Sequence, residues 1–310
     1  MKYLGIQAQQ RRNNFKSILL LLMFPALLIG LVYLFFAIIL SQDPDNYISA
    51  GEATLDALPF VIIVTTIWFF IAYFINTAVI RSATHAAPLA RRDNKRVYNL
   101  VENLCMANGM DMPKVNVIED HSLNAFASGI SKNTYTVTLT RGIINQLDDL
   151  ELEGVIAHEL THIRNRDVRL LVVSIIFVGI FTLIAQMATR MVFWGSMGRS
   201  SNNKNGAAVL IMLLIVAALG VLGYVFSLLI RLAISRKREY MADAGAAQMT
   251  KNPLALASAL RQISRNPVIA GVKSNDVAQL FIEHKAKGAF SGLFATHPPI
   301  KKRIAILEQF

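Results

Sequence analysis

Two histidines and a glutamate stand together in the run His158-Glu159-Leu160-Thr161-His162. On a helix, residues at i and i+4 lie on one face, so both imidazoles can bind one Zn²⁺ ion. Glu159 lies beside them, where its carboxylate can take a proton from a water activated by the metal. The spacing therefore predicts a hydrolytic site with His158 and His162 as zinc ligands and Glu159 as the catalytic base.

A catalytic zinc site of this kind needs a third protein ligand. The extended motif HExxHxxGxxH would supply a histidine at position 168, but the chain has Asn165 and Val168 at the diagnostic positions. No acidic residue occurs between Asp167 and Glu239, so Glu239 is the first glutamate available on a later helix. We expect Glu239 to be the third ligand.

Asp243 follows Glu239 by four residues, which places both carboxylates on one face of a helix. An aspartate there can accept the free N–H of a zinc-bound histidine and so fix its tautomer. We expect Asp243 to orient a ligand, with a direct catalytic role as proton donor or transition-state hydrogen-bonding group left open. Asp167 is expected to cap the helix or pair with Arg164 or Arg166.

Long apolar runs indicate a membrane protein. Hydrophobic residues make up 54% of the 310 residues. Four runs each exceed the roughly 20 residues needed to cross about 30 Å of hydrocarbon. The first is longer than the apolar region of a signal peptide, so we expect a retained anchor. The predicted transmembrane helices are 18–40, 58–80, 170–194 and 207–234.

Flanking charges predict the orientation of these spans. The loop between the first two spans contains acidic residues and no lysine or arginine, whereas the N-terminal lead and the segment 81–96 are basic. The positive-inside rule then places both termini and the segment 81–169 in the cytoplasm. A formal net charge of +11 fits anionic lipid headgroups, and we expect no nucleic-acid partner. The single cysteine, Cys105, excludes an intramolecular disulfide.

The remaining stretches, about 81–169 and 235–310, are each short for a domain, so we expect them to fold together. The first carries the HExxH helix and the second the third ligand. They are separated by a transmembrane hairpin, 170–234, and preceded by a lead and first hairpin, 1–80. Periodicity predicts helices at Arg91–Gly109, Arg141–Leu147, Leu150–Asp167, Asn252–Ile263 and Lys301–Leu307, and strands at Lys114–Ile118 and Thr134–Leu139.

The chain resembles the HtpX-like membrane zinc endopeptidases, within the wider superfamily of CaaX prenyl protease gluzincins. The resemblance covers roughly residues 110–310 and is carried by the segments Asn124–Gly129, Glu153–Ile163, Arg238–Asp243 and Thr296–Pro299. Together with the four predicted spans, it indicates an α-helical membrane protein with four transmembrane helices and a mainly α, α+β gluzincin-type zinc protease domain. It further implies proteolysis at a bacterial inner (plasma) membrane, often in protein quality control.

The resemblance also implies roles for individual residues. His158, His162 and Glu239 would bind one zinc ion, and Glu159 would be the base. The substrate cleft would be bordered by Asn124, Ala125, Phe126 and Ala127. His297 either orients substrate or makes a structural hydrogen bond.

Protein substrates, above all membrane proteins, are the expected partners, together with the lipid bilayer. A strand near Asn124–Gly129 or Thr134–Leu139 could pair with an extended substrate backbone, which would give broad sequence tolerance. Two alternatives stay open. One is a prenyl-protein protease acting on lipidated C-termini. The other is a non-catalytic membrane scaffold or chaperone, against which the intact Glu159 argues, because a structural zinc site does not require that residue.

Overall fold

The computed structural model describes residues 6–41, 47–169, 205–266 and 298–310, together with Gln186, Arg190 and Ile282. The described residues are mainly helical, with one four-stranded sheet. They divide into two compact units. The first unit comprises the described parts of Met1–Ser17, Ile75–Val172 and Leu232–Phe310, and the second those of Ile18–Phe74 and Val173–Arg231.

Three long helices carry the apolar runs. They are α1 (Ile6–Leu40), α2 (Ala50–Thr84) and α6 (Asn205–Thr250). Three of the predicted spans, 18–40, 58–80 and 207–234, lie inside these helices. The span 170–194 lies outside the described residues except for Gln186 and Arg190, which are helical.

One segment of the described chain is long and apolar enough to cross a membrane by length and composition, Ala50–Ile71 in α2. Shorter apolar segments occur in α1, at Pro25–Leu40, and in α6, at Leu213–Val225. Four crossings therefore stay a prediction.

The sheet of the first unit has the strand order β1-β2-β4-β3. Its strands are β1 (Ala87–Pro88), β2 (Lys114–Ile118), β3 (Ala125–Ser128) and β4 (Thr136–Thr140). β2 and β4 run parallel, whereas β3 is antiparallel to β4. β4 is thus an inner strand with partners on both sides, and β3 is the last strand of the sheet among the described residues.

β4 begins two residues later than the alternating pattern predicts. Thr134 belongs to a turn, because its hydroxyl accepts hydrogen bonds from the backbone N–H groups of Ile130 and Ser131. Gly129 has φ +109°, and a Cβ there would lie 2.4 Å from the Thr134 carbonyl oxygen. The turn between β3 and β4 therefore requires glycine at this position.

Within the described residues there are five shorter helices, and four of them begin at a side-chain cap. They are α3 (Lys95–Ala107), α4 (Arg141–Gln146), α5 (Asp149–Arg164), α7 (Pro253–Ile263) and α8 (Ile300–Leu307). Asn94 caps α3, so this helix begins four residues later than predicted from periodicity. Asp148 and Glu151 form a capping box at the start of α5.

Helix α5 is the centre of the first unit. It contacts β3, α3 and α7, and Val155, Ile156 and Leu160 are fully buried there. Burial of such a side chain contributes about 1.5–3 kcal/mol. Glu151 accepts hydrogen bonds from Ser258 and Gln262 of α7, which ties the two helices together. The HExxH helix is therefore rigidly held before any ligand is considered.

Candidate active site

His158 and His162 present their Nε2 atoms to one point. They lie one turn apart on α5, with their ring planes at 89° and the two Nε2 atoms 3.2 Å apart. His158 is fully buried, and His162 is partly exposed. The i, i+4 spacing in the sequence produces this arrangement directly.

Glu239 meets the two histidines from α6. Its Oε2 lies 3.7 Å from His158 Nε2, and its Oε1 lies 3.6 Å from His162 Nε2. One ligand atom from each of the three residues lies within 4.8 Å of the others. Two imidazoles and one carboxylate are the donor set found in many catalytic zinc sites. The residues present thus fit a zinc ion.

A close approach of two helices brings Glu239 to this position. Gly245 of α6 packs against Thr161 of α5, and a Cβ at Gly245 would lie 2.4 Å from Thr161 Cγ2. The Thr161 hydroxyl also contacts the Met249 sulfur at 3.8 Å. The glycine therefore allows α6 to lie close enough to α5 for Glu239 to meet the two histidines.

Each of the two histidines faces a carboxylate at its other ring nitrogen. Asp243 Oδ1 lies 3.0 Å from His158 Nδ1, as the spacing from Glu239 predicts. Asp167 Oδ2 lies 3.3 Å from His162 Nδ1. Carboxylates in these places fix the tautomer and the direction of a metal-binding imidazole.

The sequence did not predict the contact between Asp167 and His162, and an unusual backbone turn produces it. α5 ends at Arg164, three residues before the end predicted from the sequence, and Arg166 adopts a positive φ of 60°. This turn brings the buried Asp167 back towards the His162 ring. The Arg238 side chain then donates a hydrogen bond to the Asp167 carbonyl at 3.0 Å, so the turn is fastened to the residue preceding Glu239.

Arg303 is a residue of the site that the sequence reasoning missed. It is 0% exposed, and its guanidinium makes two hydrogen bonds to Asp243, at 2.9 and 2.7 Å. Its Nη1 lies 3.4 Å from Glu239 Oε2, and its Nη2 lies 3.4 Å from His158 Nε2. A signal existed in the sequence, since Arg303 shares the buried face of α8 with Leu307, one turn away.

These contacts set the charge state of the site in the metal-free chain. Burial by itself lowers the pKa of His158, but the Asp243 and Glu239 carboxylates outweigh it and raise the pKa to about 9. Burial acts to raise the pKa of Asp243, yet Arg303 and His158 hold it below its usual range. Burial raises the pKa of Glu159, which the neighbouring histidines offset only in part.

Strand β3 lies beside Glu159. Thr140 N–H donates to the Asn124 carbonyl, so by antiparallel alternation Ala125 and Ala127 direct their backbone polar groups away from β4. The Ala127 N–H is hydrogen-bonded to the Glu159 carboxylate. The backbone edge of β3 and the expected base therefore meet in one place.

The candidate substrate-binding residues divide accordingly. All four residues of Asn124–Ala127 are buried, and the backbone polar groups of Ala125 and Ala127 lie on the strand edge that faces away from β4. Of the two segments considered for substrate pairing, Thr134–Leu139 supplies β4, whose two sides are already taken by β2 and β3. His297 lies outside the described residues.

Comparisons with known proteins agree with this geometry. Residues 91–310 match the model of Peptidase family M48. A "Protease HtpX homolog" of Bacteroides fragilis is 59% identical over 325 aligned residues, which cover 100% of this chain and 100% of that protein. A "Protease HtpX homolog" of Listeria monocytogenes is 36% identical over 286 residues, covering 88% of this chain and 93% of that protein.

A solved structure is a more distant likeness. The crystal structure of S. mikatae Ste24p is 18% identical, with a TM-score of 0.47, and the match covers 96% of this chain and 66% of that chain. The family match and the full-length relative suffice without it. The chain belongs to peptidase family M48, and it is a peptidase.

Proposed function

We propose that this peptidase is a zinc-dependent integral-membrane endopeptidase. It hydrolyses peptide bonds of membrane or misfolded proteins at the cytoplasmic face of a bacterial inner membrane, as part of protein quality control. One observation carries the chemical part of the proposal. Ligand atoms of His158, His162 and Glu239 lie within 4.8 Å of one another, next to the buried Glu159.

The residues divide the chemistry between them. When bound, a zinc ion would supply Lewis acidity, which polarises a carbonyl and makes water a stronger acid. Glu159 takes the proton from the attacking water and passes it to the leaving amine. Asp243 and Asp167 hold the two imidazoles in orientation, and Arg303 holds Asp243.

Strand β3 supports an endopeptidase that accepts many sequences. An extended substrate can add to the edge formed by Ala125 and Ala127, using main-chain hydrogen bonds that do not depend on its side chains. The scissile bond would then lie against Glu159, which contacts the same edge. The Asn124 backbone carbonyl fastens the start of the strand by accepting a hydrogen bond from Thr140, Phe126 is buried, and His297 stays a candidate for orienting substrate.

The two alternative functions, a non-catalytic scaffold or chaperone and a prenyl-protein protease, have different requirements. A scaffold or chaperone would need zinc at most as a structural ion, and a buried carboxylate with a raised pKa beside the ligands has no purpose there. A prenyl-protein protease would require a lipidated C-terminus on its substrate. Cleavage of an unmodified internal segment therefore separates the proposed activity from both.

The test is the variant Glu159→Gln in the full-length chain. We expect cleavage of an unfolded protein substrate to fall by about 10²–10⁴-fold, because the general base is lost. Zinc content of the same sample should stay at the wild-type level, since Glu159 is not a ligand. The control is Glu153→Gln, which changes a partly exposed carboxylate on the same helix. Wild-type cleavage by Glu159→Gln would refute this assignment of the base.

The proposed orientation has its own test. The acidic loop between the first two predicted spans and the basic flanks of the chain favour a cytoplasmic active site. A reporter that is active only outside the cytoplasm should be silent when fused after Phe310 and active when inserted in the loop 44–54. The reverse pattern would place the site on the opposite face.

The proposed preference for membrane substrates follows from tethering. If both protein and substrate are confined to one bilayer, the effective substrate concentration rises towards about the mM range without new contacts. Two substrates should be compared in liposomes, one anchored by a transmembrane helix and one soluble, with an identical unstructured segment. Equal cleavage rates at equal total concentration would show that membrane anchoring does not select substrates.

A further inference from the structure

Ile282 makes backbone hydrogen bonds at the edge of β3. Its N–H donates to the Ala125 carbonyl at 2.9 Å and to the Asn124 side-chain oxygen at 3.1 Å. Its carbonyl accepts a hydrogen bond from Arg303 Nη1 at 3.1 Å. The residue is only 2% exposed. Its main chain is thus bound on both sides by residues of the candidate active site.

These contacts place Ile282 beside the reacting groups. Ala125, which accepts from Ile282, and Ala127, which donates to Glu159, lie two residues apart on the same strand edge, about 7 Å along the strand. The guanidinium of Arg303 that binds the Ile282 carbonyl also lies 3.4 Å from His158 Nε2. Ile282 is therefore about one dipeptide away from the proposed base.

The partners of Ile282 are those that an extended peptide substrate requires. Such a peptide adds to a strand edge by donating its N–H to an edge carbonyl, and its own carbonyl needs a donor on the other side. Ala125 supplies the acceptor and Arg303 the donor, and both are used here by the chain itself. A substrate residue at this place and Ile282 cannot bind at the same time.

We propose that Ile282 is an internal occupant of a substrate subsite next to the scissile bond, and that a substrate must displace it. The inference rests on the proposed function, since it presupposes that β3 pairs with substrate. Ile282 then competes with the substrate. The apparent affinity for substrate falls as the fraction of chains with Ile282 in the subsite rises. Ile282 also indicates the side chain that the subsite accepts.

The burial of Ile282 argues for an aliphatic substrate residue. A β-branched aliphatic side chain is held there with almost no contact with water. A charged substrate residue in its place would lose its hydration without a matched partner, which is costly. Peptides with Ile, Val or Leu at this position should therefore be bound and cut in preference to peptides with Asp or Lys.

The decisive variant is Ile282→Pro, because proline has no N–H to donate to Ala125 and Asn124. Its matched control is Ile282→Val, which keeps both the N–H and the β-branched shape. A fluorogenic peptide with an internal cleavage site gives kcat and KM for the zinc-loaded full-length chain. We expect KM to fall about tenfold in Ile282→Pro, on the scale of one lost hydrogen-bonded contact, with kcat little changed. Ile282→Val should match the wild type.

A binding measurement does not depend on turnover. A fluorescent, uncleaved version of the peptide is titrated into the full-length chain carrying Glu159→Gln, with and without Ile282→Pro. Binding should tighten by the same factor of about ten when the proline is present. The peptide with Asp in place of the aliphatic residue should bind at least about tenfold more weakly to both chains.

A third probe guards against a variant that fails to fold. A synthetic peptide with the sequence of residues 279–285 should inhibit the wild-type chain competitively, whereas the same peptide N-methylated at its isoleucine should not. Unchanged or weaker substrate binding in a folded Ile282→Pro chain would overturn the inference, as would equal inhibition by the two synthetic peptides. If the wild-type chain itself cleaved no peptide, the proposed function would be refuted instead.

Discussion

The two sides of the candidate metal centre are built in different ways. On one side, α5 supplies His158, Glu159 and His162 from five consecutive residues. On the other side, Glu239 and Asp243 come from α6, and Arg303 comes from α8 near the end of the chain. The geometry of the first side, called the near side, follows from the periodicity of the single helix α5. The geometry of the second side, called the far side, depends on packing between helices and on a buried ion pair. It should therefore be more sensitive to substitution of residues that are neither ligands nor the base.

Arg303→Met should have the largest effect on stability. It removes the guanidinium from a fully buried cluster and leaves the Asp243 carboxylate, whose pKa is held down by that guanidinium, without its main partner. Breaking a buried pair in this way costs about 3–5 kcal/mol. Chemical denaturation of the metal-free chain in detergent measures it. Lys302→Met, an exposed neighbour on the same helix, is the control and should change stability little.

Glu239→Ala tests the far side as a source of ligands. Loss of a ligand should weaken zinc binding by more than about 100-fold, which exceeds the usual effect of residues that only orient ligands. Zinc retained after dialysis, measured by atomic absorption, gives the result. If the variant kept the zinc content of the wild type, Asp243 or His297 would have to be examined as the third ligand.

Substitution of the two orienting carboxylates compares the sides directly. Asp243→Asn and Asp167→Asn should each weaken zinc binding by about 10–100-fold. The effect of Asp243→Asn should be the larger, because Asp243 also neutralises the buried Arg303, whereas the contact of Asp167 to His162 is longer, at 3.3 Å. Competition with a chromophoric chelator measures both affinities. A larger effect from Asp167→Asn would reverse the proposed order of the two sides.

The pH dependence of zinc binding shows how the far side acts on the near side. The pKa of His158 is raised to about 9 by Asp243 and Glu239, so at pH 7 the imidazole carries a proton that zinc must displace. Affinity should rise about tenfold per pH unit between pH 7 and about 9, and level off above it. In the metal-free chain the charged His158 stabilises the fold below pH 6.5, and this contribution is lost as the pH rises through about 9.

Calorimetry in two buffers of different ionisation enthalpy counts the released proton. About one proton per zinc is expected from His158 at pH 7. The same titration with Asp243→Asn should release less, because one of the carboxylates that raise the pKa has been neutralised. Zinc affinity that did not change between pH 7 and 8.5 would contradict the assigned charge state.

The near side was predictable from the sequence because its geometry is local. HExxH on a helix determines where both imidazoles point. On the far side, Glu239 was expected as the third ligand because no acidic residue occurs between Asp167 and Glu239. Asp243 followed from its spacing to Glu239. The cap of α5 and strand β2 were likewise recognisable from short-range patterns.

Arg303 was missed because its position depends on contacts between distant parts of the chain, whereas the contact of Asp167 with His162 was missed because it depends on an unusual local backbone conformation. Arg303 lies on a short helix whose register against Asp243 no pattern in the sequence reveals. Asp167 reaches His162 only because Arg166 adopts a positive φ, which is unusual for arginine. The early start predicted for β4 failed for a related reason, since the hydroxyl of Thr134 is used in a turn.

The proposed chemistry requires that His158, His162 and Glu239 hold one zinc ion together. X-ray absorption at the zinc edge of the purified full-length chain tests this directly. We expect two imidazole nitrogens at about 2.0–2.1 Å and carboxylate or water oxygens at about 2.0–2.2 Å, with an imidazole signal halved in His162→Ala and an oxygen shell altered in Glu239→Gln. A sulfur shell at about 2.3 Å, or spectra unchanged by both substitutions, would contradict it.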